Sequence, residues 1–182
     1  MYRIVIAVIC IAAAGGLGYA AFSERWLENQ KPSRRAAFSL LASTRCVGES
    51  ANTTCESKSN SELMTELTMQ NKEDASMAFA TAGQATLGLS LLSAFTLLLC
   101  AGWLVGKKRT SGPNGPQHLA LIALMLALIA ATVFIKLKPG GTTTAVGAGP
   151  GFYIFGVACV LGIFAAQLAS KLIRPIDSDS SL

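Results

Sequence analysis

The sequence predicts an all-α membrane fold, a bundle of four transmembrane helices with a small disulfide-closed outer loop region, and three observations predict it. Four apolar runs, approximately 4–22, 78–106, 119–135 and 152–173, use about half of the 182 residues. Only 14% of the residues are charged, and within the runs charge is confined to the ends, as at Lys171. Two cysteines outside the runs, Cys46 and Cys55, lie together in the long segment 23–77. About 20 apolar residues in a helix cross the hydrocarbon core of a bilayer. A backbone in lipid must satisfy its own hydrogen bonds, which favours helices for such runs. The polar segments leave no room for a separate soluble domain, so residues 1–182 form one membrane domain.

The first run follows Arg3 and carries small residues at helical spacing, Ala12 with Gly16 and Ala14 with Gly18. Small residues let helix backbones approach closely. Gly18-Tyr19-Ala20 resembles a signal cleavage site, but the run is longer than a signal core, and a retained span is the expectation.

The first loop, 23–77, holds eight of the ten acids. Within it, 33–44 suits a helix or a strand about equally, and Cys46–Cys55 reads as a hairpin or tight loop. Paired, the two cysteines would close a turn-rich segment, a bond that persists in an oxidising compartment. Between them Asn52-Thr53-Thr54 forms an N-glycosylation sequon. Ser59-Asn60-Ser61-Glu62 has the form of a capping box. It predicts a helix that starts near Ser61 and continues into the second span.

In the second run Ala78, Ala82, Thr86, Ser90 and Ala94 form a ladder at i+4 spacing. The third run repeats the device with Ala123, Ala127 and Ala131, and the fourth with Ala158, Gly162 and Ala166. Ala82, Ser90, Ala127 and Gly162 are therefore the expected helix-packing residues, and Ala165 is expected on the lipid face. Gln84 and Gln167 read as buried polar groups bonded to a neighbouring helix. Residues 107–117 form a short, turn-rich inner loop, 136–151 a glycine-rich outer loop, and 174–182 a serine-rich tail.

Orientation follows from basic residues in short loops. Arg3, Lys107, Lys108, Arg109, Lys171 and Arg174 place both termini in the cytoplasm, with 23–77 outside. The net charge of +5 sits near span ends, which suits a membrane surface and not nucleic acid. Enzyme chemistry finds little support. His118 is the single histidine, at the inner end of a span, with no cysteine or carboxylate nearby in sequence. There is no glycine-rich phosphate loop, and no catalytic, cofactor or metal site is expected. The absence of a charge or proline inside the spans argues against transport by this chain alone.

Trp26 just after the first span, the cysteine pair, and Gly151-Phe152-Tyr153 with Gly156 at the fourth span give the chain a layout that resembles the claudin and peripheral-myelin-protein superfamily. The chain departs from it where Leu41-Ala42-Ser43 replaces that family's Gly-Leu-Trp, and where an arginine ahead of the second span is missing. The resemblance implies a small outer sheet capped by the Cys46–Cys55 bridge on a left-handed bundle. It implies adhesion, lateral assembly or regulation of a partner membrane protein at the plasma membrane, with membrane lipid and other membrane proteins or further copies as partners. The alternative is an accessory subunit of a membrane transport or enzyme complex. Ser180-Ser181-Leu182 has the pattern of a ligand for a PDZ domain, with Ser180 and Leu182 as its reading positions.

Overall fold

A computed structural model describes residues 2–29, 34–47, 54–70, 76–106, 115–139 and 146–172. Four long helices dominate it: α1 (Tyr2–Ala21), α3 (Met77–Val105), α4 (Pro116–Lys136) and α5 (Pro150–Leu172). All four are long and apolar enough to cross a membrane. Their limits fall within three residues of the apolar runs, because apolar composition and helix length are the same signal here. Consecutive long helices run antiparallel. Going around the bundle, α1 packs on α3, α3 on α4, α4 on α5 and α5 on α1, and the diagonal pairs touch little.

The small-residue ladders mark the contacts. Ser90, Ala127 and Gly162 are buried, as are Ala123, Ala131, Ala158 and Ala166, and Ala82 is 8% exposed. A side chain on Gly16 would meet the Ala158 Cβ at 3.0 Å, so α1 and α5 nearly touch backbone to backbone there. The hydroxyls on the packed face of α3 turn back on their own helix. Thr86 donates to the Ala82 carbonyl at 2.7 Å and Ser90 to the Thr86 carbonyl at 2.6 Å. A buried hydroxyl satisfied in this way costs little and leaves a small, packable surface.

Three expectations about these helices are corrected. Ala165 is fully buried and does not face lipid, whereas Val157, Val160 and Phe164 face outward. Ala78 at the top of the α3 ladder is exposed, because the buried stripe at the start of α3 runs through Phe79, Ala82 and Gly83 instead. Gln84 and Gln167 are also exposed, so neither amide is buried against a neighbouring helix.

Five strands gather at one end of the bundle: β1 (Leu27–Asn29), β2 (Arg34–Phe38), β3 (Ala42–Val47), β4 (Thr54–Ser59) and β5 (Val146–Ala148). They form one sheet in the order β4-β3-β2-β1-β5, with every pair antiparallel. Within the undecided segment 33–44, residues 34–44 are thus strand, then turn, then strand. Here the small sheet takes an edge strand from the outer loop 136–151, which the sequence did not mark.

A short helix, α2 (Asn60–Met69), follows β4. Ser59 caps it: its Oγ accepts from the Glu62 N–H at 3.2 Å, while Glu62 accepts from the Ser59 N–H at 3.1 Å. The capping box is present, and the helix starts at Asn60, one residue before the predicted start near Ser61. The predicted continuation into the second span is absent. α2 stops at Gln70, and α3 starts afresh behind an N-cap at Ser76.

Candidate functional site: the outer sheet and its seat on the bundle

Cys46 and Cys55 face each other across β3 and β4 and are joined by a disulfide. The bridge ties the outermost strand pair at the end remote from the bundle. Cys10, Cys100 and Cys159 remain free and buried among the helices.

The sheet is seated by aromatic residues. Trp26 is completely buried, and its indole N–H donates to the Ala20 carbonyl at 2.5 Å, at the last turn of α1. Around it stand Phe134 of α4, edge-on at 6.2 Å, and Phe152 and Phe155 of α5 at 6.3 and 5.1 Å. Phe134 stacks on Phe79 of α3 at 4.5 Å, and Phe79 meets Phe38 of β2 edge-on at 6.1 Å. One continuous group of rings therefore links β2 and the residue that enters β1 to three helices. Offset and edge-on ring pairs add about 0.5–1.5 kcal/mol each beyond burial.

Backbone contacts fix the same seat, and two glycines are needed for it. The turn between β2 and β3 lays the Leu40 carbonyl directly on Gly83 of α3, where a Cβ would overlap the oxygen and approach Phe134 at 3.2 Å. Gly149 lies against the Arg25 carbonyl, and its N–H donates to Trp26 O at 2.8 Å. Asn60, buried at the start of α2, donates its amide to the Ser39 and Leu40 carbonyls, both at 3.1 Å. Leu40 itself is 1% exposed. The turn is held between α2 and α3, and the sheet is fixed to the bundle at both ends.

The sheet's outer surface is charged and open. Lys58 of β4 reaches Glu56 at 3.2 Å and Glu66 of α2 at 2.9 Å. Hydrogen bonds to Glu66 first and Glu56 second hold its ammonium above its ordinary pKa. The Ser59 hydroxyl and backbone hold the Glu62 carboxyl below its ordinary value. At the opposite end of the bundle, Arg3 donates to the Leu172 carbonyl at 3.3 Å and so caps α5 with a cation, the favourable sign for a helix C-terminus. His118 is exposed in the first turn of α4.

Among the described residues no group of three His, Cys, Asp or Glu side chains is placed to hold a metal ion. What the described residues present here is a disulfide-bridged sheet seated on the helix bundle. Asn52, Lys107–Arg109, Ser180 and Leu182 lie outside the described residues. Sequence reasoning found the disulfide and Trp26 but missed Gly83, Asn60 and β5. Gly83 carried no signal of its own inside an apolar helix full of small residues. No family model matches the chain, and no curated protein matches it.

Proposed function

We propose that this chain is a non-enzymatic multi-pass membrane protein of the plasma membrane that acts through its outer sheet, in adhesion, lateral assembly or regulation of a partner membrane protein. The observation that carries the reading is the seat itself. A disulfide-bridged sheet is bound to the helices by aromatic rings and by a carbonyl laid on a glycine, which gives a surface of fixed orientation. A fixed surface lowers the ordering cost of recognition. The four-helix, bridged-sheet layout agrees with the claudin-like resemblance of the sequence.

In this reading the four long helices span the bilayer, with the sheet outside and both termini in the cytoplasm. Exposed Tyr19, Phe22 and Tyr153 at the sheet end and Tyr2 at the far end suit the two interfaces, where amphipathic rings collect. Arg3 and Lys171 at the far end, with Lys107–Arg109 in the loop joining α3 to α4, suit the cytoplasmic side. The bridge suits the oxidising side.

The testing experiment is cross-linking of the full chain on intact cells with a membrane-impermeant reagent, followed by peptide mapping. Cross-links from residues 34–70 to another copy or another membrane protein are expected. Partners held only through helix peptides would favour the accessory-subunit alternative, and a chain that yields no intermolecular cross-link would remove the adhesion and assembly reading.

A further inference from the structure

At the end of the bundle remote from the sheet, α4 begins without a side-chain cap. Its N-cap is Gly115, which has no side-chain acceptor, and Pro116 follows in the first turn. The first turn of a helix leaves backbone N–H groups without intrahelical partners, and the aligned peptide dipoles make it partly positive. The chain closes this turn with a bond from the His118 N–H to the Gly115 carbonyl at 3.0 Å.

Gln117 supplies a second, independent observation at the same place. It is 3% exposed, and its amide folds back over Gly115. A Cβ at 115 would lie 2.6 Å from Nε2 and closer still to Oε1, so the glycine leaves the space that the amide fills. Oε1 is buried with no donor, and neither end of the amide is hydrogen-bonded among the described residues. A buried amide without partners forfeits the bonds it had in water, so it points to a ligand that restores them.

Position and charge select that ligand. α4 is long and apolar enough to cross a bilayer, which puts its first turn at the depth of the lipid headgroups. Phosphate oxygens match a helix N-terminus. This end carries Arg3 and Lys171 and no acid among the described residues, and Lys107, Lys108 and Arg109 precede α4 in the chain. Positive charge there favours an anionic lipid and disfavours an ammonium in its headgroup. What Oε1 lacks is a donor, and a neutral hydroxyl is the donor these charges admit.

We propose that the first turn of α4 binds the headgroup of an anionic phospholipid with a hydroxyl beside its phosphate, as glycerol and inositol headgroups have. The phosphate oxygens accept from N–H groups of that turn, and the hydroxyl donates to Gln117 Oε1. The inference does not use the outer sheet. It rests on the reading of the four helices as spanning, and on the orientation in that reading only for placing the lipid in the cytoplasmic leaflet.

The test is native mass spectrometry of the full chain in detergent, with phosphatidylglycerol, phosphatidylmethanol and phosphatidylcholine of identical acyl chains in competition. The first two share a charge and differ in their hydroxyls. Phosphatidylglycerol should be the first lipid bound about fivefold more often than phosphatidylmethanol, the gain from one hydrogen bond, and both should exceed phosphatidylcholine. Gln117→Met removes the acceptor at similar size, and Gly115→Ala pushes the flexible amide aside. Each should bring the glycerol and methanol lipids to parity. Gly102→Ala, at a position with nothing within 4 Å, should leave the native ratio. Parity in the native chain, or a preference that survives both Gln117→Met and Gly115→Ala, would overturn the proposal. Displacement of the bound lipid by millimolar glycerol 3-phosphate would assign the site to soluble phosphoesters and overturn the lipid assignment. Failure on any of these counts leaves the outer-sheet reading standing, because cross-linking tests that separately.

Discussion

Replacing Gly83 by alanine should unseat the sheet, and the matched change at Gly88 should not. The two glycines lie five residues apart in the same helix, so both substitutions bring the same gain in helix propensity, up to about 1 kcal/mol. They differ in what the new methyl group meets. At Gly88 nothing lies within 4 Å, so the methyl group enters open space. At Gly83 it collides with the Leu40 carbonyl, whose carbon would lie at 3.1 Å and whose oxygen is closer still, and with Phe134 at 3.2 Å. The obstacle is backbone, held from above by Asn60, and cannot rotate away. Overpacking costs typically 1–3 kcal/mol, and a backbone obstacle places this case near 3. The turn must lift, which also withdraws the buried Leu40 from α3. Thermal unfolding in mild detergent, with amide exchange read across 34–47, measures both effects. Gly83→Ala should lower the midpoint and speed exchange in β2 and β3, while Gly88→Ala leaves exchange unchanged and holds or raises the midpoint. Equal midpoints and equal exchange for the two variants would refute the seating argument.

Three further outcomes follow from the same structure. Replacing Cys46 and Cys55 together by serine should cost roughly 2–3 kcal/mol of outer-region stability on the loop-entropy account, read as faster exchange in β3 and β4 with the helices unaffected. Gly162→Leu should destabilise the bundle by about 1–3 kcal/mol, because even a Cβ there meets Leu97 and Leu124 at 3.1 Å, whereas Val160→Leu on the outward face should be near neutral in a detergent melt. The Glu62 carboxyl is held below its ordinary pKa, so its capping contribution is complete above the ordinary carboxylate range and is lost as pH falls through the lowered value. Lys58 is held above its ordinary pKa, so its bracing of α2 is complete below the ordinary lysine range and is lost as pH rises through the raised value. Amide protection in α2, corrected for the intrinsic pH dependence of exchange, should therefore fall at both extremes and be greatest between them, and a flat protection profile would contradict the cap and brace.

Much of the bundle was legible in the chain because one property, uninterrupted apolar length, decides both that a segment is helical and where it ends. The ladders of α4 and α5 were legible for a related reason: where association depends on close approach, small residues must recur on one face. The same logic misled at Ala78, because exact i+4 steps drift around a helix of 3.6 residues per turn, and the buried stripe at this end passes through Phe79. α3 has 29 residues and is about 43 Å long, more than the roughly 30 Å hydrocarbon core, so part of it stands beside the sheet. Gln84 and Gln167 were misread because polarity inside an apolar run was taken as burial, and a face can be assigned only once neighbours are placed. β5 escaped notice because Val146-Gly147-Ala148 is too short to show alternation, and its pairing with β1 continues into the close approach of Gly149 to the Arg25 carbonyl. The capping box at Ser59–Glu62 was legible because its logic is local. The separate N-cap of α3 at Ser76 was not, because a lone serine ahead of an apolar run is as common inside a continuing helix as at its start.

The most direct test of the account is the sidedness of the two ends of the bundle. In a chain with Cys10, Cys100 and Cys159 replaced by alanine, a single cysteine is placed either at Met69, which is 80% exposed on α2, or at His118, exposed at the start of α4. Intact cells are then treated with an impermeant maleimide. The account predicts labelling at position 69 in intact cells and at position 118 only after permeabilisation. Labelling at both positions in intact cells would contradict a spanning bundle, and the reverse pattern would place the sheet inside and end the proposal that it works as an outer surface.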